Sequence, residues 1–126
     1  MNPESSLRAQ LVAAARAFNA GRYFEAHEQL EDALDGVSSE LWDLFIGLIQ
    51  IAVGYHKATQ HLWNGAAGML QRGLDKIAPY PETAAGLRLE ALRQRVRDDI
   101  TSLRSGAFDS EAFARHPPRL QLERNR

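Results

Sequence analysis

Apolar residues recur at three- and four-residue intervals along almost the whole chain, and no segment shows the strict alternation of a half-buried strand. That pattern predicts a succession of helices. The first starts near Asn2-Pro3, a cap followed by the residue best tolerated in a first turn. It carries Leu7, Leu11, Ala14 and Phe18 on one face and ends at Asn19-Ala20-Gly21. A second runs from about Tyr23 to Asp35, with Gly36 as its stop. Ser38 or Ser39 caps a third that reaches about Gln60, with Glu40 and Asp43 suited to its positive N-terminal end. Asn64 caps a fourth, which bears Ala67, Leu70, Leu74 and Ile77 and is terminated by Pro79 and Pro81. The fifth, from about Leu87 to Ser105, has Leu89, Leu92, Val96, Ile100 and Leu103 on one face and stops at Gly106.

Short connections make successive helices antiparallel neighbours. The expected fold is therefore all-α, a single compact array or bundle of about five helices built from antiparallel helical hairpins. This helical domain covers residues 1–106. Residues 107–126 hold Pro117-Pro118 and few apolar side chains, and read as a turn of helix followed by an extended, partly disordered tail. One internal echo stands out: Ala26, Leu30 and Leu34 match Ala66, Leu70 and Leu74 at an offset of 40, suggesting a duplicated helical hairpin.

Composition narrows the classes. The 126 residues fit one domain, and 44% apolar residues can build its core. With no Cys, a disulfide framework, an iron–sulfur site, a Cys-ligated zinc and a thiol nucleophile are excluded. The most apolar stretch, Leu44–Tyr55, contains Gln50 and is far shorter than the roughly 20 residues of a membrane span. Met1–Ser6 is polar and unlike a secretory start, so a cytoplasmic location without membrane contact is expected.

A net charge of -1 speaks against nucleic acid as a partner. Arg88, Arg93, Arg95, Arg97 and Arg104 share their region with Glu90, Asp98 and Asp99, and read as a solvated mixed-charge face. The balance is uneven along the chain. Residues 1–86 carry 6 bases and 10 acids, whereas residues 87–126 carry 9 bases and 6 acids. The basic part is expected to neutralise the acidic part, within one chain or between two copies in a homo-oligomer.

Chemistry concentrates in the second helix, Tyr23-Phe24-Glu25-Ala26-His27-Glu28-Gln29-Leu30-Glu31. Its core-facing stripe reads as Tyr23, His27, Leu30 and Leu34, with Phe24, Glu28 and Glu31 alongside, because residues three and four apart share a face. Carboxylates and an imidazole beside a core cost free energy unless paired or bound to something. From Tyr23 to His56 there are 7 carboxylates and no Lys or Arg. A divalent metal would answer that charge: His27 and Glu31 as ligands, Glu28 as general base or third ligand. Manganese, magnesium or iron suits such a donor set better than zinc, and the bound metal would activate water in a hydrolase.

A tight hairpin centred near Val37 puts Gln50 within one turn of His27, as an orienting or substrate-binding group. It leaves His56 roughly 12 Å further along. The pocket would then be lined by Tyr23, Gln50 and His56 and take a small-molecule or peptide ligand. Gly47 and Gly54 suggest a smooth face closely approached by a neighbour.

The alternative is a non-catalytic helical binding or interaction module. Gly21-Arg22-Tyr23-Phe24-Glu25-Ala26 leading into a Leu/Ala helix resembles a tetratricopeptide repeat, whose stacked hairpins form grooves for peptides. In that case the polar cluster is structural: His27 and Glu31 pair on the helix surface, and a buried Glu bonds the indole of Trp42 or the hydroxyl of Tyr55. No phosphate-cradling glycine loop, nucleophile elbow or calcium loop is present. His27-Glu28-Gln29-Leu30-Glu31 is close to the zincin pattern but has Glu31 where the second His belongs.

Three blocks together carry a family resemblance: Gly21–Glu31, Leu44–Ala52, and His56 with Asn64-Gly65-Ala66-Ala67. They resemble domain-of-unknown-function family 309, with Pro118-Arg119-Leu120 similar to its closing segment and Leu34 standing where members often have Trp. The resemblance is good from about Ala17 to Ile77. It implies an all-helical prokaryotic protein, sometimes labelled a predicted metal-dependent hydrolase, in which His27, Glu28, Glu31, Gln50 and His56 correspond to motif positions.

Overall fold

The computed structural model describes residues 3–123, so the proposed cap Asn2 lies outside the described residues. The helices are α1 (Pro3–Asn19), α2 (Tyr23–Ala33), α3 (Ser39–Thr59), α4 (Trp63–Ile77), α5 (Glu90–Ser105) and α6 (Ser110–Arg115). A short 3₁₀ turn, Leu34–Gly36, links α2 to α3. The fold is the expected all-α array. The first five helices follow their predicted spans closely except at the starts of α4 and α5, and α1 packs on α2, α2 on α3, α3 on α4 and α4 on α5.

The core is aliphatic in the middle and aromatic at one end. Leu30, Leu44, Leu48, Ile51 and Leu70 are fully buried, as are Phe18 and Tyr55. The glycine stripe of α3 does face a neighbour, and that neighbour is α4. A Cβ on Gly73 would lie 2.6 Å from the Gly47 carbonyl oxygen, and one on Gly54 would meet Leu70 at 2.8 Å. The two backbones approach closely because neither carries a side chain there.

The echo at an offset of 40 has a backbone counterpart. Gly21 closes α1 at φ +82, with Gly21 N–H donating to the Phe18 carbonyl and Arg22 N–H to the Ala17 carbonyl. His61 closes α3 at φ +62, with His61 N–H donating to Ala58 and Leu62 N–H to Lys57. Both are Schellman closures. The next residues agree as well: Arg22 has φ -91 and ψ 71, Leu62 φ -94 and ψ 71. The α1–α2 and α3–α4 hairpins are therefore two copies of one corner. This places Asn64 inside the first turn of α4, not at its cap.

Three elements differ from expectation. Strands β1 (Thr83–Ala84), β2 (Leu87–Arg88) and β3 (Gln121–Leu122) form a small antiparallel sheet, so α5 begins at Glu90 instead of Leu87. Leu87 is buried in that sheet. The C-terminal segment has its turn of helix in α6, and residues 120–122 beyond it are docked on α1 and β2. Leu120 is buried, and Asn19 on α1 both donates to its carbonyl and accepts from its N–H. Finally, Arg93 and Asp99 of α5 are buried, not solvated. The Arg93 guanidinium donates to the carbonyls of Ile77, Tyr80 and Pro81, closing the end of α4.

Candidate functional site

The face of α2 that meets the core is Tyr23, Ala26, Leu30 and Ala33. The predicted stripe, with His27 and Leu34 in it, is rotated by about one position from this. Alanine explains the difference: it lets α1 and α3 approach α2 more closely than His or Leu would, and the helix turns its small residues inward. His27 sits at the edge of the interface, and Glu28 and Glu31 are exposed. His27 Nδ1 donates to the Phe24 carbonyl at 2.8 Å, and Nε2 lies 2.8 Å from the Glu31 carboxylate.

Gln50 and His27 line separate hollows. Gln50 lies on the glycine stripe of α3 and lines a surface hollow with Asp43, Arg72, Asp75 and Lys76. His56 is the residue that joins His27: the Phe24 ring stands between them, 4.8 Å from His27 and 5.3 Å from His56. Phe24 opposite His56 puts the hairpin midpoint at Glu40, three residues beyond Val37, because the 3₁₀ turn lengthens the connection. Trp42 is exposed. Among the described residues, the ion pairs of the acidic segment are made with Arg22, His27 and α4: Glu25 pairs with Arg22, Glu31 with His27 and Asp43 with Lys76.

Among the described residues, no three His, Asp or Glu side chains converge closely enough to hold a metal ion. With Glu28 as third ligand, His27, Glu28 and Glu31 therefore do not form a metal site, and His27 and Glu31 meet as a pair.

The burial and charge pattern points elsewhere. Tyr23, from the α1–α2 corner, is buried against Phe18, Tyr55 and Phe113, with ring centroids 5.2, 5.6 and 5.9 Å away. Beside this cluster Tyr55 donates to Asp99 Oδ2 at 2.7 Å, and Arg95 Nε donates to the same oxygen at 2.8 Å. The Arg95 guanidinium also lies 5.8 Å from the centre of the Phe113 ring. Burial pushes the Asp99 carboxyl above its ordinary value, with Tyr55 and Arg95 opposing the shift. Burial raises both phenols well above the usual tyrosine range, and the Asp99 charge adds to the shift at Tyr55.

A cavity of about 420 Å³ adjoins the cluster. One wall is the first corner (Asn19, Ala20, Gly21, Tyr23) and the opposite wall the second (Ala58, Thr59, His61). Phe108, Phe113 and Pro117 close it from the C-terminal segment. At its mouth His61 stacks on the part-exposed Trp63, at 4.9 Å and 22°, and Trp63 reaches Phe108 at 5.7 Å. The Tyr23 hydroxyl is buried with no hydrogen-bond partner. An orphaned buried hydroxyl costs about 1–3 kcal/mol. Of the expected site residues, only Tyr23 belongs to this constellation. Asp99 was marked in the sequence by its place on the Val96–Asp99–Leu103 stripe, where an apolar residue belongs.

Fold and site thus define a protein of two equivalent helical hairpins with a buried tyrosine–aspartate–arginine cluster beside an aromatic cavity. Residues 11–69 match the family model described as Domain of unknown function (DUF309), and over that segment, α1 into α4, the chain resembles the family. The match holds both corners, Tyr23, Tyr55 and His61, while Arg95, Asp99 and Phe113 lie beyond it. No curated protein matches the chain. Among the described residues no helix is long and apolar enough to cross a membrane.

Proposed function

We propose that this protein is a helical binding module whose ligand occupies the cavity between its two corners. The observation that carries the reading is the aromatic lining of the hollow, in which Tyr23, Phe108 and Phe113 wall the space between the two corners. Ligand sites are mostly apolar hollows with a few placed polar groups, and about 420 Å³ is within their usual range. Less supports the metal-dependent hydrolase reading: Glu28, its general base or third ligand, is exposed, and among the described residues no three His, Asp or Glu side chains converge.

Ligand-observed magnetic resonance against a panel of small aromatic compounds tests the reading. Compounds should bind the native chain and fail to bind Ala114→Trp, which fills the cavity mouth while leaving the helix content unchanged. Binding that survives this substitution, or no binding by any compound, would overturn it. Stoichiometric uptake of manganese or zinc, abolished by His27→Ala, would restore the hydrolase.

A further inference from the structure

We infer that the protein carries a second binding site, an arginine-rimmed hollow that takes a small organic phosphate monoester. The hollow lies between α1 and the small sheet and has a volume of about 990 Å³. It shares only Asn19 with the aromatic cavity.

One clamp builds the site. Asn19 donates its amide N–H to the Leu120 carbonyl at 3.1 Å and accepts the Leu120 N–H at 2.7 Å. That pair ties the C-terminal segment to α1, with Pro118 and Leu120 buried on either side of Arg119. Arg16 stands three residues before Asn19, one turn along the same face of α1. The clamp therefore fixes the backbones that carry Arg16 and Arg119, and Arg88 of β2 joins them in the lining. Side chains set on fixed elements hold their geometry for a ligand.

Charge points to an anion. Three guanidiniums and two carboxylates, Glu82 and Glu123, line the hollow. Both carboxylates are engaged within the chain. Glu82 Oε2 accepts the Glu90 N–H at the start of α5, and Oε1 lies 3.8 Å from Arg88 Nε. Glu123 Oε1 accepts from the Thr83 hydroxyl, and the Glu123 backbone is held by Gly86 and Arg8. Among the described residues no carboxylate forms an ion pair with Arg16 or Arg119. Two guanidiniums lining one hollow repel each other until an anion comes between them.

The guanidiniums also select the anion. One planar fork satisfies a carboxylate, whereas a phosphate monoester brings close to two charges and three acceptor oxygens, enough for two forks at once. The rest of the lining decides what the phosphate is attached to. Val12, Ala15, Leu120 and Leu122 make an apolar wall beside the arginines. An inorganic ion leaves that wall uncovered, and a short carbon chain buries it.

Titration of the full chain with n-butyl phosphate, inorganic phosphate and pentanoate, followed by amide shifts, tests the inference. n-Butyl phosphate should bind about tenfold more tightly than either of the others and shift the amides of Arg16, Asn19, Arg119 and Leu120. Arg16→Gln and Arg119→Gln should each weaken it about tenfold. Arg72→Gln, on α4 and outside this hollow, should leave it unchanged. All three arginines are exposed, so the variants are expected to fold. Binding indifferent to Arg16→Gln and Arg119→Gln, or no shift at these amides, would overturn the site. Pentanoate bound as tightly as n-butyl phosphate would overturn the phosphate class, and inorganic phosphate bound as tightly would overturn the organic one. Displacement of n-butyl phosphate by a short oligouridine at lower concentration would overturn the small molecule in favour of a nucleic-acid strand.

Discussion

Gly21 and His61 occupy the same place in two successive hairpins, each closing a helix in the left-handed region of backbone space, at φ +82 and +62. Glycine adopts that conformation freely, whereas a residue with a Cβ pays roughly 1–2 kcal/mol for it. The second corner therefore carries strain that the first does not, at the residue whose ring forms the cavity mouth. Strain of this kind clusters at ligand clamps and switch points.

His61→Gly should be more stable than His61→Ala by about 1 kcal/mol, since both lose the stack on Trp63 and only the alanine keeps the strained Cβ. Denaturant unfolding of the two variants checks this. Equal midpoints at equal slopes would show that the corner is unstrained.

Asp99→Ala leaves the Tyr55 hydroxyl and the Arg95 guanidinium without their shared acceptor. A loss of about 2–3 kcal/mol is expected, below the range for a fully buried pair because Arg95 reaches solvent. The loss should depend on pH. A carboxyl raised in the folded state binds more protons folded than unfolded, so its contribution is greatest in acid and declines as pH rises from its ordinary value of 3.8 through the raised one. Stability of the native chain minus that of Asp99→Ala, measured from pH 3 upward, should fall across that window. A difference that grows with pH contradicts the assignment.

Two of the 3 tyrosines, Tyr23 and Tyr55, should resist ionisation. Their raised pKa values contribute stability that is present below about pH 10 and lost above it. In a spectrophotometric titration their phenolate signal should rise only together with loss of helix by circular dichroism. Ionisation of all 3 on an intact fold would show the cluster to be open to water.

Gly73→Ala forces a Cβ to within 2.6 Å of the Gly47 carbonyl oxygen and of an Ile51 side-chain carbon. Separating α3 from α4 to relieve it should cost about 1–3 kcal/mol. Gly36→Ala, where a Cβ meets nothing within 4 Å, serves as the control and should stay near neutral. Thermal unfolding of the pair decides it.

Glu28→Ala should change stability by less than about 0.5 kcal/mol, as befits an exposed side chain with no ion pair among the described residues. His27→Ala gives up an i,i+4 contact with a half-exposed Glu31, a contribution of about 0.5 kcal/mol. A loss of several degrees in melting temperature for Glu28→Ala would return the polar cluster to a buried network.

The helices were legible because their apolar spacing is long and regular. What escaped was set by smaller margins. The β1–β2 turn is Ala85-Gly86 with both residues at positive φ, a hairpin turn built without the Asn or Asp that usually announces it. The buried face of α2 departs from its apolar stripe because Ala26 and Ala33 outrank His27 and Leu34 only once α1 and α3 close on them. The same rule that misled at His27, a polar residue on an apolar stripe, holds at Asp99, where the partners Tyr55 and Arg95 accompany it. Periodicity cannot tell these cases apart. The cavity itself draws on three distant segments, which no local pattern joins.

The most direct test of the account locates a bound guest. With a bound compound from the aromatic panel and the full chain, nuclear Overhauser contacts should run from the ligand ring to Tyr23, His61 and Phe113, the three walls of the cavity. Contacts confined to Phe24 and His56, or to no ring at all, would contradict the claim that this cavity is the binding site.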